Sequence, residues 1–448
     1  MRREAVVVVD KSCINIGILG WGTVGTGVSK ILINQNTLIS KNSGIQLCLK
    51  KVVKRTLPAS REGIELPTDC LTTDPVEVVD NPEIDIVVEL IGGVSEAHSL
   101  ITRAIQNGKH VVTANKALLA EHGGELFQLA QKHQVSLNFE ASTAGGIPII
   151  KTLQESFTAN QIQSIYGIVN GTCNYMLTEM NERGVDFADV LADAQEKGYA
   201  EADPTLDIEG IDAAQKLTLL IALAYGVNLS VDQFHVEGIT DISQKEIQYA
   251  HELGYVIKLL AIAKLTDDNR VEARVHPTLL PERSLLANVG GAFNAVCVIG
   301  SAVGPTLFYG QGAGEMPTAS AVVADIIDAA KSIQGGVSSP ISQAWLADSQ
   351  PEITLCSIDD IETRYYLRFV VIDRPGVLAS IGSILGNHNI SIASVIQKEP
   401  HGTDTVSLMM LTHQAREKNM KAALKQIYTL EVVKGNAKLI RIEEEVAF

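Results

Sequence analysis

Cysteine is sparse in this chain and never clustered. Cys13, Cys48, Cys70, Cys173, Cys297 and Cys356 are scattered over 448 residues, with no Cys-x-x-Cys pair and no Cys/His cluster. That pattern excludes a cysteine-based structural zinc and points to reduced thiols in a cytoplasmic protein. Long apolar runs are missing too. The run from Ala5 to Val9 stops at Asp10-Lys11, too short for a signal sequence, and the longest, Val289 to Val303, is glycine-rich and too short to cross a bilayer. It reads as buried strand and turn. Low-complexity segments and repeats of solenoid period are absent. Positive charge is in deficit: the net charge of −16 argues against non-specific binding to nucleic acid or an anionic membrane.

What is present is core. Hydrophobic residues make up 46% of the chain and charged ones 20%, a globular composition, and the length suggests about three domains.

Ile14–Leu19 reads as a buried strand that runs into Gly20-Trp-Gly22-Thr23-Val24-Gly25 and then a helical pattern over Val28–Ile33. Strand, glycine turn and helix in that order form a dinucleotide-binding fingerprint. Gly20 permits the tight turn, Gly22 lets backbone approach a pyrophosphate, and Gly25 allows close helix–strand packing. A second strand, Ile45–Val53, ends in Lys54-Arg55, with no acid before Glu62. An acid there would favour a ribose 2′-hydroxyl, whereas two cations favour a 2′-phosphate, so NADP(H) is expected over NAD(H). Strands at Ile84–Leu90 and His110–Thr113 alternate with a helix over Ala97–Asn107. This predicts a doubly wound parallel sheet, with Lys116 just beyond a strand's carboxyl end.

The segment from Gly198 to Lys216 packs Glu201, Asp203, Asp207, Asp212 and Lys216 into a loop that becomes a helix. Asp212 and Lys216, four apart, share a helical face. The bland reading is a solvated acidic loop with a helical ion pair. The sharper one is a site for an amino-acid substrate, with carboxylates for its ammonium group and a lysine that moves a proton.

Four ordered motifs decide between them: Thr113-Ala-Asn-Lys116; Glu140-Ala-Ser-Thr143-Ala-Gly145-Gly-Ile147-Pro; Asn170-Gly171-Thr172-Cys-Asn-Tyr175; and Gly198-Tyr199-Ala-Glu201 through Asp207 and Asp212 to Lys216. Together they resemble the homoserine dehydrogenase family. The resemblance implies NAD(P)-dependent interconversion of L-aspartate 4-semialdehyde and L-homoserine, on the route to threonine and methionine. It implies Lys216 as proton donor, with Lys116 as rival, and Asp212 orienting Lys216. Glu201, Asp207 and Asp212 would bind the substrate ammonium, and Tyr199, Gly171 and Thr172 would line the pocket. The cofactor would lie against Gly20, Gly22, Thr23, Val24, Gly25, Lys54, Arg55, Lys116, Gly198 and Gly312. A monovalent cation, Na+ or K+, would sit at Glu140, Thr143, Gly145 and Ile147, mostly on backbone oxygens. A homodimer or homotetramer is implied as well. A non-catalytic nucleotide and amino-acid sensor, or a dehydrogenase of another semialdehyde, are the alternatives. No kinase-like segment precedes the first strand, so a monofunctional form is expected.

Residues 141–333 read as an α+β substrate and dimerisation domain following a Rossmann domain over 1–140. A helix opening in the glycine-rich stretch from Phe308 and running to about Ile333 would return to the cofactor domain. Residues 334–363 read as a linker. From 364 a βαββαβ order, with Asp373-Arg-Pro-Gly376-Val377-Leu378 at its first turn, resembles an ACT domain. That implies an amino-acid effector, with threonine as the pathway's end product, near Asp373–Leu378 and Asn387–Ser391.

Overall fold

A computed structural model describes residues 13–56, 63–335, 353–397 and 405–444. The expected acid limit at Glu62, the Ala5–Val9 run and most of the expected linker lie outside them. The chain divides into two compact units, residues 1–165, 214–233 and 293–353 in one and 166–213, 234–292 and 354–448 in the other. No helix among the described residues is long and apolar enough to cross a membrane.

The first unit is built on a parallel six-stranded sheet. Its strands are β1 (Ile14–Leu19), β2 (Leu47–Val53), β3 (Leu71–Thr72), β4 (Ile86–Glu89), β5 (His110–Thr113) and β6 (Leu137–Asn138), in the order β3-β2-β1-β4-β5-β6. β1 and β4 are almost wholly buried, as strands covered on both faces must be, and their Ile/Val runs supply that apolar surface. Helices Thr23–Asn34, Ser95–Gln106 and Lys116–Lys132 make crossovers. The helix Glu315–Gly335 joins the same core through Ala319, Val322, Ile326 and Ala330. Gly27 permits that approach, since a Cβ there would lie 2.7 Å from the Glu315 carbonyl. Lys30 and Glu315 close the contact at 2.7 Å.

Two expectations change here. The stretch from Phe308 does not open the helix; Gly304–Gln311 pairs antiparallel with Phe293–Gly300 as a hairpin, and the helix starts only at Glu315. Alternating half-exposed side chains made that strand illegible beside its glycines. Nor are all six thiols free. Cys13 and Cys48 form a disulfide, since the β1–β2 register sets Asn15 beside Cys48 and holds the two Cα atoms 6.2 Å apart.

The second unit carries helices Gly171–Arg183 and Phe187–Glu196 and a long antiparallel pair, Tyr255–Leu265 with Arg270–Pro281. Its C-terminal part has the expected βαββαβ order: Glu362–Ile372, Val377–Asn387, Ile392–Gln397, Thr405–Thr412, Glu417–Ile427 and Lys438–Ile442. This part has its own core of Tyr365, Leu367, Phe369, Ile381, Leu408, Met420 and Ile427. It is nonetheless not a loose appendage. Lys438–Ile442 pairs antiparallel with Glu362–Ile372 and parallel with Arg270–Pro281. Arg274, 1% exposed, bridges Glu443 at 2.8 Å across that seam and also pairs with Glu272. Arg441 pairs with Glu417 at 2.7 Å. Buried ions of one sign each meet the other, which is the condition for burying them at all.

Candidate active site

The glycine turn of the first unit has the geometry of an anion cradle. Gly20 has φ +105°, a left-handed conformation that disfavours a side chain. A Cβ at Gly25 would fall 2.1 Å from the Gly20 carbonyl, whereas at Gly22 it would meet nothing within 4 Å. Gly25 therefore serves packing, and Gly22 faces open space at the amino end of the helix Thr23–Asn34, where partial positive charge gathers. Gly20, Trp21, Gly22, Lys54, Arg55, Ile91 and Glu96 are among the residues lining one groove. Lys54 Nζ lies 5.4 Å over the Trp21 ring, and Arg55 is exposed. The residues fit a dinucleotide.

Beyond the strand ends, Glu89 organises two loops. Its Oε1 accepts the backbone N–H of Ile91 at 2.9 Å and of Gly92 at 3.1 Å, and its Oε2 accepts the Thr113 hydroxyl at 2.6 Å. The Thr113 oxygen in turn accepts Asn115 N–H at 3.0 Å, and the Asn115 side chain donates to Gly93 O at 2.6 Å. Asn115 also caps the helix that opens at Lys116, accepting Leu118 N–H. Burial pushes the Glu89 carboxyl up, and its hydrogen bonds pull it back. Sequence reasoning missed this residue. Its signal was a lone acid closing the otherwise apolar strand Ile-Val-Val-Glu.

The turn at Glu140–Ile147 is buried and held from within. The Glu140 carboxylate accepts N–H from Ile150 and Lys151, and its own N–H donates to Asp325 at 2.7 Å. Burial raises both acids, Asp325 to about 8, with the Glu140 charge adding to it. Ala144 and Gly145 adopt left-handed φ values of 56° and 52°. A Cβ at Gly145 would strike the Gly312 carbonyl at 2.3 Å, so this turn and Gly312 touch backbone to backbone. The Thr143 hydroxyl is buried with no hydrogen bond. A buried turn with unmatched oxygen fits a hard cation.

In the second unit, Asn170 gathers the acids. Its Nδ2 donates to Asp207 Oδ1 at 2.7 Å and Asp212 Oδ2 at 2.8 Å, and its Oδ1 caps the helix Gly171–Arg183 by accepting Cys173 N–H. One amide thus offsets the repulsion of two carboxylates and aims both. Asn170 stood in the motif but was not singled out; its signal was an N-cap side chain directly before a Gly-Thr helix start. Thr172 donates to the Tyr199 carbonyl at 2.7 Å, and the Tyr199 ring packs against Tyr175 with centroids 4.7 Å apart and planes tilted by 39°. Tyr175 donates to Asp193 and accepts from Lys197, which fixes the platform under Tyr199. Gly198 takes φ +75° to make the turn, and Glu201 is exposed. Asp212 is buried, in the first turn of the helix Ile211–Tyr225, and Lys216 lies one turn on. Gly20 to Gly25, Lys54, Arg55, Lys116, Glu140 to Ile147, Gly312 and Lys216 fall in the first unit. Gly171, Thr172, Gly198, Tyr199, Glu201, Asp207 and Asp212 fall in the second.

Family models match in the same order. Residues 20–140 match the NAD binding domain of homoserine dehydrogenase, 148–327 match homoserine dehydrogenase, and 365–432 match the ACT domain. A homoserine dehydrogenase of Neisseria gonorrhoeae is 46% identical over 96% of this chain and 98% of its own. The crystal structure of a homoserine dehydrogenase from Thiobacillus denitrificans superposes with a TM-score of 0.90 at 47% identity, covering 96% of this chain and 98% of that one. A hyperthermophilic archaeal homoserine dehydrogenase in complex with NADPH covers 71% of this chain and 98% of its own, at 26% identity and a TM-score of 0.59. The sensor reading finds no support in these relatives.

Proposed function

The chain belongs to the homoserine dehydrogenase family, and on that footing we propose how its residues interconvert L-aspartate 4-semialdehyde and L-homoserine. The observation that carries the assignment is the Asn170 amide shared by Asp207 and Asp212, one helical turn before Lys216.

When bound, a nicotinamide cofactor would supply hydride to the aldehyde carbon or take it from the alcohol carbon of the substrate. Lys216 supplies the proton to the forming alkoxide and retrieves it in the reverse direction. Asp212, held by Asn170, orients Lys216 along the shared helical face. Asp207 and the exposed Glu201 take the substrate ammonium, while Tyr199, Gly171 and Thr172 shape the pocket. Lys116, which opens a helix whose cap is fixed through the Glu89–Thr113 pair, is the rival donor. Lys216→Ala should lose turnover far more than dinucleotide affinity. Near-normal turnover of that variant beside a dead Lys116→Ala would exchange the two roles.

The cofactor is held by Gly20, Gly22, Thr23, Val24 and Gly25, with contributions from Gly198 and Gly312. Lys54 and Arg55 favour NADP(H) through its 2′-phosphate. Lys54→Ala should then raise KM for NADPH more than KM for NADH; an equal effect on both would remove the preference. The backbone oxygens of Glu140, Thr143, Gly145 and Ile147 would hold Na+ or K+, which would stabilise the turn against Gly312. Comparing thermal midpoints in sodium, potassium and tetramethylammonium salts checks this, and a common midpoint in all three rejects it.

Residues 1–140, 141–333 and 364–448 serve as cofactor, substrate and effector domains of a homodimer or homotetramer, testable by light scattering. Threonine binds near Asp373–Leu378 and Asn387–Ser391, where Gly376 and Asn389 take left-handed turns. Because Lys438–Ile442 is paired to Arg270–Pro281, a truncated chain is a poor control. Threonine should instead inhibit the full-length enzyme, and Asp373→Ala should blunt the response. No inhibition of the full-length enzyme by threonine overturns this assignment.

A further inference from the structure

His98 and His122, distant in sequence, meet on the first unit. His98 lies on the helix Ser95–Gln106, and His122 and Glu125 on the helix Lys116–Lys132. The imidazole centroids are 4.5 Å apart and tilted by 45°. His98 Nε2 stands 3.5 Å from Glu125 Oε2, and His122 Nδ1 stands 3.8 Å from the same oxygen. One donor atom from each of the three side chains falls within 4.8 Å of the other two.

We propose that His98, His122 and Glu125 bind a divalent transition-metal ion of the zinc class. Several observations converge. Two neutral imidazoles and a carboxylate form a donor set suited to Zn2+, Co2+, Ni2+ or Cu2+, and unsuited to hard ions such as Mg2+. Bonds of about 2.0–2.1 Å in a tetrahedron require donor separations of roughly 3.3 Å, and the two histidine–carboxylate spacings, 3.5 and 3.8 Å, lie close to that. His98 Nε2 is closed off from solvent, and the Glu125 oxygen 3.5 Å away is too distant for a good hydrogen bond, so a bound ion would complete its polar contacts. His122 and Glu125 are three apart on one helix, which puts both on the face that meets His98. The Glu125 side chain is 64% exposed, so an ion can reach the cluster from solvent.

The site would staple two helices whose amino ends carry the loops joined by Glu89. One of these helices follows Gly92-Gly93, and the other opens at Lys116. Metal binding therefore stabilises the fold of the first unit independently of the dehydrogenase reaction.

The test uses full-length protein without a polyhistidine tag, stripped with a chelator and dialysed. Zinc is titrated by calorimetry, and cobalt by its visible absorption. The wild type should take up one zinc at this site and gain thermal stability on doing so. His122→Ala, at a partly exposed position where the fold tolerates truncation, and His98→Ala should each weaken that binding. The loss should exceed the ~10–100-fold typical of losing only an outer-shell partner. The zinc-induced thermal shift should disappear with it. Zinc affinity and thermal shift in either histidine variant equal to those of the wild type would place the metal elsewhere and overturn the proposal. So would a wild type that binds neither ion.

Discussion

Glu89, at the carboxyl end of β4, accepts the hydroxyl of Thr113, at the carboxyl end of β5, across 2.6 Å. Both side chains are fully buried, and the pair ties the loop at Ile91–Gly93 to the loop that ends in Lys116. Glu89→Ala leaves the buried Thr113 hydroxyl without its acceptor, at a cost of about 1–3 kcal/mol, and removes the acceptor that holds the Ile91 and Gly92 N–H groups of a part-exposed loop. Thr113→Val keeps the shape and removes the hydroxyl, which also accepts Asn115 N–H. Thermal and urea denaturation should therefore rank wild type above Thr113→Val and Thr113→Val above Glu89→Ala. Two variants as stable as the wild type would mean the clamp holds nothing.

Two glycines three residues apart, Gly22 and Gly25, should fail in opposite ways. Gly25→Ala drives a methyl group into the Gly20 carbonyl and should destabilise the fold. Gly22→Ala meets open space and should melt as the wild type does, while the new methyl crowds a bound pyrophosphate. Pairing melting curves with dinucleotide titrations separates the two effects. A Gly22→Ala enzyme with unchanged NADPH affinity would remove this turn from the cofactor site.

Asn170→Asp tests the shared amide without uncapping its helix, since aspartate also caps well. The substitution replaces a donor with a third negative charge beside Asp207 and Asp212. We expect kcat/KM to fall roughly 10- to 100-fold, the equivalent of the ~1.5–3 kcal/mol attached to hydrogen bonds with charged groups. Dinucleotide affinity should stay near the wild-type value, while the melting temperature should fall, because Asn170 is buried and a third carboxylate there meets two of like charge. An unchanged kcat/KM would show that the two acids need no such alignment.

Asp325 gives stability a pH dependence of predictable sign. Burial raises its carboxyl from the ordinary 3.8 to about 8, helped by the Glu140 charge. The folded chain keeps a proton that the unfolded chain releases above about 4, so stability from this group is greatest below the unfolded value. It declines as pH rises towards about 8, and is level above that. Asp325→Asn keeps an acceptor for Glu140 N–H and abolishes the titration. The denaturation free energy of the variant should therefore fall less steeply than the wild type's across that window. Parallel curves would assign the slope to other groups.

Much of this protein is legible along the chain because much of it is local. A buried β1 running into Gly20-x-Gly22-x-x-Gly25 needs only strand, turn and helix to declare itself, and the spacing of Asp212 and Lys216 reports a shared helical face directly. The four ordered motifs carried the family, and the βαββαβ order carried the effector domain. What the sequence could not rank was partnership between residues far apart in number. Asn170 became more than a motif letter only when folding set it 2.7 and 2.8 Å from Asp207 and Asp212. Glu89 is one acid among many until parallel strands place it beside Thr113. The Cys13–Cys48 bridge follows from strand register, which apolar alternation does not specify when a strand is buried on both faces. The seam of Arg274 and Glu443 depends on which edge the last strand chooses, and His98 meets His122 only because two crossover helices lie side by side. Local pattern determined the elements and the chemistry they could hold. Distances between side chains from different elements were decided by packing, because only the folded core fixes where those elements stand.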